Sequence, residues 1–260
     1  MAAKNPFRPF TPNPEMVSRL PQITGNEING LGETEVRRPR MVFWAPDPDE
    51  IEFGEVQKWF YMQEPANPEL MRERVRRKEI LAAPLPELAD QPVNRSPSEW
   101  TSALDQFVEA GECERVGVAR MQPEWVYEHH QTDFSNVIML GVHHNYDLLK
   151  TAPDLIAGAD VTRQYGRAAR VAKNVAGWLR EQGWDAEPVT GPMVGKILMI
   201  PPALECGFGE LGKHGSLINP EFGSAFRLGA VLTDAPFATT EKQEFGIDDF
   251  CSRCRVCEDA

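Results

Sequence analysis

The sequence predicts an α+β fold, with α/β-like alternation, in which helices cover a sheet. Three segments indicate this class: a capped helix that begins after Ser96, an uninterrupted apolar run over residues 136–142, and a long amphipathic segment over residues 162–182. The apolar run (NVIMLGV) is short enough to be a buried strand. Because helix and strand signals alternate along the chain, we expect one sheet with helices packed on it.

The first 95 residues are predicted to form an irregular, proline-rich arm with one helix. Few periodic segments occur before about residue 66. Asn67 is a suitable N-cap and Pro68 a suitable first helical residue, so a charged helix is expected to run to about Ile80. No core of its own is predicted for this region.

Residues 96–245 are predicted to form the core. Ser96 and Glu99 make a capping box, and Gly111 is placed to end the helix that follows. A short strand is expected around residues 116–118, and another (AVLT) over residues 230–233. The long helix over 162–182, which Gly183 ends, presents one apolar face that is formed by Tyr165, Ala168, Ala172, Val175 and Leu179.

Composition excludes several classes of function. The 260 residues carry a net charge of −12 with a pI near 5.0, which argues against a nucleic-acid surface. No apolar stretch approaches the roughly 20 residues that span a bilayer, and the N-terminus lacks the apolar region of a signal peptide. The five cysteines are too few and too unevenly spaced for a secreted disulfide scaffold. We therefore expect a cytoplasmic protein with no membrane contact.

Cysteines at 251, 254 and 257 form a C-x2-C-x2-C run that predicts an iron–sulfur centre. This run is the first part of the bacterial ferredoxin-type motif whose thiolates hold a [4Fe–4S] cluster. A disulfide would leave one thiol unpaired, a structural zinc site would need a second pair of ligands, and a redox C-x-x-C pair would not explain the third cysteine. Cys113 and Cys206 are expected to be small buried residues.

A glycine-rich segment precedes the cysteine run and indicates a backbone that turns tightly beside a large ligand. It does not have the strand-and-helix context of a dinucleotide-binding loop, and Lys213 is followed by His214 rather than by the Ser or Thr of a P-loop. His143 and His144 follow the buried strand, so they either border a pocket or have a local structural role.

Several short motifs in this part of the chain resemble the C-terminal half of reductive dehalogenases, which are corrinoid and iron–sulfur enzymes. The motifs are residues 209–218 (GELGKHGSLI), 221–224 (EFGS), 227–228 (RL), 233–236 (TDAP) and the cysteine run. The resemblance covers roughly residues 100–260. It implies a helix-covered sheet of the cobalamin-binding, nitroreductase-like type, followed from residue 246 to 260 by the start of a truncated ferredoxin-like 4Fe-4S domain. Epoxyqueuosine reductases share the cobalamin-binding core.

The resemblance also implies roles for particular residues. Tyr165 is the expected proton donor, although its helical position alone favours an ordinary core tyrosine. Gln164 stands where epoxyqueuosine reductases carry a catalytic aspartate, which argues for dehalogenases instead. Arg227, or else Lys213, would stabilise the phenolate, while a surface salt bridge is the plain alternative. Base-off cobalamin, without a histidine on cobalt, would lie against Gly207, Gly209, Gly212, Lys213, His214, Gly215 and Ser216.

The function that the resemblance implies is reductive dehalogenation of an organohalide. Electrons would come from a ferredoxin, a flavodoxin or a reductase and would reach the corrinoid through the cluster that Cys251, Cys254 and Cys257 hold. An epoxyqueuosine-reductase-like tRNA-modifying enzyme and a non-catalytic corrinoid or electron-transfer protein are the alternatives. The motif predicts that Cys-Pro would follow Ala260 in the parent protein, and that these 260 residues alone are inactive.

Overall fold

A four-stranded antiparallel sheet is the centre of the fold in the computed structural model, which describes residues 13–22, 34–62, 67–191 and 195–254. The strands are β1 (Arg115–Arg120), β2 (Asn136–His143), β3 (Ala186–Val189), β4 (Glu210–Leu211), β5 (Leu217–Ile218) and β6 (Phe226–Thr233). In the large sheet their order is β1-β2-β6-β3, while β4 and β5 form a separate hairpin. The predicted mixed class, with helices on a sheet, is confirmed.

Nine α-helices are found in the described part of the chain. They are α1 (Pro14–Val17), α2 (Gly54–Met62), α3 (Pro68–Ala82), α4 (Pro97–Ala103), α5 (Asp105–Glu109), α6 (Tyr146–Leu149), α7 (Leu155–Glu181), α8 (Ile200–Glu205) and α9 (Ile247–Cys254). Within the described ranges, none of them combines the length and the apolar composition that crossing a bilayer requires.

Strand β2 is buried along its whole length except at His143, because it pairs with β1 on one side and with β6 on the other. Its side chains alternate between two cores, as the period of a strand requires. Leu140 and Val175 belong to the core between the sheet and α7. Met139 and Phe208 belong to the core on the other face. The predicted buried strand over 136–142 is thereby confirmed.

Helix α7 lies against the sheet at Gly229, where the absence of a side chain allows close approach. A Cβ built on Gly229 would lie 3.0 Å from the carbonyl oxygen of Ala168. Helix α3 packs beside α7, and its N-cap Asn67 accepts hydrogen bonds from the backbone of Glu69 and Leu70 as predicted. The layer of α3 and α7 on the sheet forms one wall of the candidate site.

Gly229→Ala is expected to destabilise the fold by about 1–3 kcal/mol, because the new methyl group would push α7 away from the sheet. Gly158→Ala is the matched control, since its Cβ would have only ordinary contact with Leu70, at 3.8 Å. That change, inside a helix, should stabilise the protein by about 0.5–1 kcal/mol. Urea unfolding of the two variants measures both effects; equal effects would contradict the close packing of Gly229.

Several boundaries differ from the prediction. The helix after Ser96 has its capping box, but it is interrupted at Leu104, where the backbone N–H bonds to the third rather than the fourth preceding residue. Helix α7 begins at Leu155 instead of residue 162, because Gly158 weakens the helical signal of its first turns without breaking the helix. Strand β6 begins at Phe226 instead of residue 230.

The N-terminal region holds more helix than the single one predicted for residues 1–95. Helices α1 and α2 precede α3, and a 3-10 turn covers Pro48–Glu50. Helix α2 begins at Gly54, whose absent side chain leaves room for the carbonyl oxygen of Pro48. Cys113 and Cys206 are both buried as predicted, and burial raises the pKa of each thiol to about 12.

Candidate active site

Tyr165 lies on α7 between two arginines that come from different elements. The guanidinium carbon of Arg227 is 4.3 Å from the centre of the tyrosine ring, and that of Arg77 is 5.5 Å away. Both distances fall within the range of a cation–π interaction. Arg227 comes from β6, where it lies four residues before Val231 and therefore on the same face of the sheet, the one that α7 covers. Arg77 reaches the ring from α3.

Both arginines have a buried side-chain nitrogen without a partner. Among the described residues, neither Nε of Arg77 nor Nε of Arg227 has a hydrogen-bond acceptor. Buried donors normally find acceptors, so two unmatched donors beside one phenol are characteristic of a place where a further group binds or negative charge develops. The donor set of Tyr165, Arg77 and Arg227 fits a site in which a group is reduced and protonated.

Tyr61 is close enough to Arg77 and Tyr165 to interact with both electrostatically. It lies in α2, and burial raises the pKa of its phenol while the charge of Arg77 lowers it and Tyr165 raises it. The sequence did not identify Tyr61 or Arg77. Arg77 is one of several charges on a helix that has the composition of a solvent-exposed surface.

A buried His–Asp pair lies close enough to Arg227 to interact with its charge. His144 follows β2, and its Nδ1 is 3.1 Å from Oδ2 of Asp160 on α7; both side chains are almost fully buried. Asp160 also accepts a hydrogen bond from the side-chain amide of Gln164 (3.0 Å). The predicted alternative of a local structural role therefore describes the contacts of His144, whereas His143 pairs with Glu114 at 3.2 Å.

Gln164 uses both ends of its side-chain amide in this network. Its nitrogen donates to Asp160, and its oxygen accepts a hydrogen bond from Arg167 (3.0 Å). Arg167 in turn pairs with Glu114 at 2.8 Å. Gln164 is buried and neutral, so its contacts are those of a residue that fixes α7 against the end of β2.

Protonation of His144 should weaken the fold. Burial lowers its pKa, and so does the charge of Arg227, whereas the hydrogen bond to Asp160 raises it; the net shift is downward. Below about pH 6.5 the unfolded chain therefore binds a proton more readily than the folded one, and stability falls as the pH drops through this range. The free energy of unfolding would be measured from pH 7.5 down to pH 5.5 in steps of roughly half a unit. It should fall less steeply for His144→Gln than for the wild type. Parallel profiles for the two proteins would contradict the role given to His144.

The predicted cofactor glycines form the β4–β5 hairpin and its approach, which belong to the second core. A Cβ on Gly209 would lie 2.1 Å from the carbonyl oxygen of Ile218, and one on Gly207 would lie 2.8 Å from that of Glu241. These two glycines thus allow close packing within the fold. Gly215 has a φ of 78° with nothing within 4 Å of its missing Cβ, so the turn itself requires this glycine.

The turn of the hairpin exposes its polar residues. Lys213 and Ser216 are exposed, and Nδ1 of His214 accepts a hydrogen bond from the backbone N–H of Ser216 at 3.0 Å. His214 therefore caps the turn of the hairpin. Arg227 and Lys213 were the two candidates for the cation that stabilises the Tyr165 phenolate. Arg227 is the one that contacts the tyrosine ring.

The hairpin is linked to the helix that carries the first two cysteines of the motif. The carboxylate of Glu210 accepts hydrogen bonds from the backbone of Phe245 (2.8 Å) and of Ile247 (2.9 Å), at the start of α9. Cys251 and Cys254 lie one turn apart on α9, and hence on the same side of it. Cys257 lies outside the described residues, and within them no group of three metal-ligating side chains occurs. Two adjacent thiols fit the donor chemistry of an iron–sulfur cluster.

Comparisons with known proteins find one recurrent class. No family model matches the chain. The tetrachloroethene reductive dehalogenase of Dehalobacter restrictus is 33% identical over 157 residues, which are 60% of this chain and 28% of that protein. The tetrachloroethene reductive dehalogenase of Desulfitobacterium hafniense is 32% identical over the same number of residues. The match thus spans less than a third of the length of these two curated dehalogenases.

A second class of relative is less similar. An epoxyqueuosine reductase from Synechococcus is 30% identical over 132 residues, which are 48% of this chain and 39% of that protein.

Solved structures show the same fold. The catabolic reductive dehalogenase NpRdhA, in complex with 3-bromo-4-hydroxybenzoic acid, has a TM-score of 0.69 at 20% identity over 86% of this chain and 37% of that one. A reductive dehalogenase described with a mechanism for B12-dependent dehalogenation has a TM-score of 0.66 at 19% identity, over 86% of this chain and 34% of that one. Over the matched region this chain is therefore a homologue of the reductive dehalogenases, which are oxidoreductases.

Proposed function

We propose that this chain is the corrinoid-binding core of an enzyme that reductively removes a halogen from an organohalide. The placement of Tyr165 between Arg227 and Arg77 is the observation that carries the proposal. Two comparisons support the proposal. Similar curated proteins are tetrachloroethene reductive dehalogenases, and one similar solved structure is a reductive dehalogenase in complex with 3-bromo-4-hydroxybenzoic acid. The overall reaction combines R–X with two electrons and one proton to give R–H and X⁻.

The finer architecture belongs to the same proposal. Residues 96–245 would form a corrinoid-binding core of the nitroreductase-like type, residues 246–260 would begin a ferredoxin-like 4Fe-4S domain, and residues 1–95 would form the N-terminal arm. The contacts of Glu210 with the start of α9 support a fixed position of the cysteine helix relative to the β4–β5 hairpin.

Tyr165 would supply the proton. When bound, base-off cobalamin would contribute the strongly reducing cobalt centre that the cleavage of a carbon–halogen bond needs. The phenol hydroxyl of Tyr165 would hold the proton that goes to carbon, and the two guanidinium groups would stabilise the phenolate that remains. Because these charges already flank the ring before reaction, little reorganisation is needed when the phenolate forms.

The residues proposed to hold the corrinoid are those of the hairpin and its approach, which are Gly207, Gly209, Gly212, Lys213, His214, Gly215 and Ser216. The hydrogen bond that His214 Nδ1 accepts from Ser216 supports binding through polar contacts rather than through a histidine on cobalt. Lys213, which is exposed, would contact the polar periphery of the cofactor.

Cys251, Cys254 and Cys257 are proposed as cluster ligands. After anaerobic reconstitution with iron and sulfide, Cys251→Ser and Cys254→Ser should each lose most of the broad visible absorption and the EPR signal of the reduced cluster. Ser252→Ala, an exposed change on the same helix, is the matched control and should keep both. Unchanged iron and sulfide content in both cysteine variants would contradict this assignment.

Halide release tests the function itself. The chain would be joined to a ferredoxin segment that supplies a fourth cysteine to the motif, loaded with hydroxocobalamin and iron–sulfide, and given a strong chemical reductant. We expect release of bromide from a bromophenol or of chloride from tetrachloroethene. A loaded protein that reduces neither class of substrate would refute the proposal. After a positive result, ferredoxin and flavodoxin would be tested as electron donors.

The second candidate is an epoxyqueuosine-reductase-like enzyme, which the 30% identity to such a reductase favours. Gln164 in place of the catalytic aspartate and the net charge of −12 both count against it. Reduction of epoxyqueuosine in tRNA, without halide release, would establish this alternative. Cobalamin binding without turnover on either substrate class would indicate a corrinoid-handling or electron-transfer protein.

A further inference from the structure

A strongly basic cavity lies between α3 and α7. It has a volume of about 170 Å³, and its charged lining consists of Arg76, Arg77, Arg163, Arg167, Arg170 and Glu73. This cavity is called the arginine cavity below. The whole chain carries a net charge of −12, so five arginines around one small space are a local feature of this helix pair.

Only some of these charges are neutralised by the protein. Arg163 pairs with Glu69 and Glu73, and Arg167 pairs with Glu114. In the described part of the chain, by contrast, Arg76 and Arg170 have neither a carboxylate nor a hydrogen-bond partner.

Arg77 adds a third cation with unmatched donor capacity, because its buried Nε has no acceptor among the described residues. Arg163, Arg167 and Arg170 also follow one another at three- and four-residue intervals on α7, where like charges repel. An anion in the arginine cavity would reduce the repulsion that remains after Arg163 and Arg167 have paired with glutamates.

The number and kind of donors indicate the class of anion. Each guanidinium presents its N–H groups as a planar fork that matches two oxygens at once. A carboxylate or a halide offers too few acceptors for three such groups, whereas a tetrahedral oxyanion has four oxygens. Gly166 and Ile80 complete the lining without adding charge, and a Cβ on Gly166 would come no closer to Ile80 than 3.7 Å.

We propose that the arginine cavity binds a tetrahedral oxyanion of the phosphate type, either free or as the phosphate group of a small ligand. The bound oxyanion would join α3 to α7 and so stabilise the layer of helices that positions Arg77 beside Tyr165. Arg77 is the one charged residue that this cavity shares with the proposed catalytic site. Binding of the oxyanion needs no corrinoid, so its test does not depend on dehalogenation.

Thermal unfolding of the 260-residue chain tests the proposal. At matched ionic strength, millimolar inorganic phosphate should raise the melting temperature by about 2–6 °C relative to chloride or acetate. Glycerol phosphate in a parallel series distinguishes a free-ion site, which it would not fill, from a phosphate-group site. An equal response to phosphate, acetate and chloride would overturn the proposal.

Matched variants locate the effect. Arg76→Gln combined with Arg170→Gln should abolish the response to phosphate, whereas Lys150→Gln combined with Lys242→Gln, an equal change of charge at exposed positions, should keep it. Phosphorus NMR of phosphate with the wild-type chain provides a second measurement if the arginine variant does not fold. Line broadening that sulfate relieves and acetate does not would support the site, and absence of broadening would refute it.

Discussion

Replacement of Tyr165 by phenylalanine is expected to lower halide release by about 10²–10⁴-fold in the cofactor-loaded enzyme, as loss of a positioned general acid does. The change removes one hydroxyl and leaves a ring of the same shape between Arg77 and Arg227, so packing should be retained. The rate is measured as halide released under a strong reductant with saturating substrate. Tyr146→Phe, at an exposed tyrosine, is the matched control and should retain the wild-type rate.

The form of the loss matters as much as its size. If Tyr165 delivers the proton, kcat should fall while cobalamin content and cluster content stay unchanged. The solvent deuterium isotope effect on the rate should also differ between the variant and the wild type, because a different group must supply the proton in the variant. A variant that keeps the wild-type rate would show that Tyr165 is an ordinary core tyrosine, which is what helical periodicity alone indicates.

Arg227→Gln is the second change with a large expected effect. The guanidinium of Arg227 is the cation nearer to the Tyr165 ring, at 4.3 Å, and its buried Nε has no acceptor in the described part of the chain. Removing it should lower halide release by about 10²–10³-fold, the range observed when one preorganised donor to a developing negative charge is lost. Arg77 would still contribute some stabilisation of the phenolate from its greater distance.

Charge and geometry at this position can be separated. Arg227→Lys keeps the charge but loses the planar fork, so we expect part of the activity to return, between that of Arg227→Gln and that of the wild type. Arg120→Gln, an exposed change on β1, removes the same charge away from the site and should have little effect. Equal rates for Arg227→Gln and Arg120→Gln would contradict the role assigned to Arg227.

The central parts of the fold could be predicted because local signals there agree with the tertiary structure. Strand β2 is apolar throughout and is buried on both faces, and α7 has a regular apolar stripe. Helix α2 could not be predicted in the same way, because its stability depends on packing with the turn at Pro48–Glu50. The interruption at Leu104 also has no signal in a sequence whose helical pattern continues to Gly111.

The candidate site shows the same division. Tyr165 and Arg227 could be proposed from the resemblance, since each lies in a recognisable motif. Arg77 could not, because one arginine on a highly charged helix has no distinguishing mark until the fold places it beside Tyr165. The pairing of His144 with Asp160 likewise depends on how α7 crosses the end of β2, which no local pattern encodes.

The glycine-rich segment was correctly predicted to turn tightly, but the group that approaches its backbone could not be predicted. Its density predicted tight turns and close approach, and the structure has both at Gly207, Gly209 and Gly215. Sequence alone could not tell whether a neighbouring backbone or a ligand makes the approach. At Gly207 and Gly209 the neighbour is the carbonyl oxygen of another part of the chain, so any contact of the corrinoid with this segment would use its other groups.

Cobalamin binding is the property on which the account most depends. The chain would be reconstituted anaerobically with hydroxocobalamin, freed of unbound cofactor and reduced to the cob(II) state for EPR spectroscopy. We predict about one cobalamin per chain, with the spectrum of the base-off form without a nitrogen ligand on cobalt, in the wild type and in Tyr165→Phe alike. A chain that retains no cobalamin, or that binds it with a nitrogen on cobalt, would contradict the proposed corrinoid core.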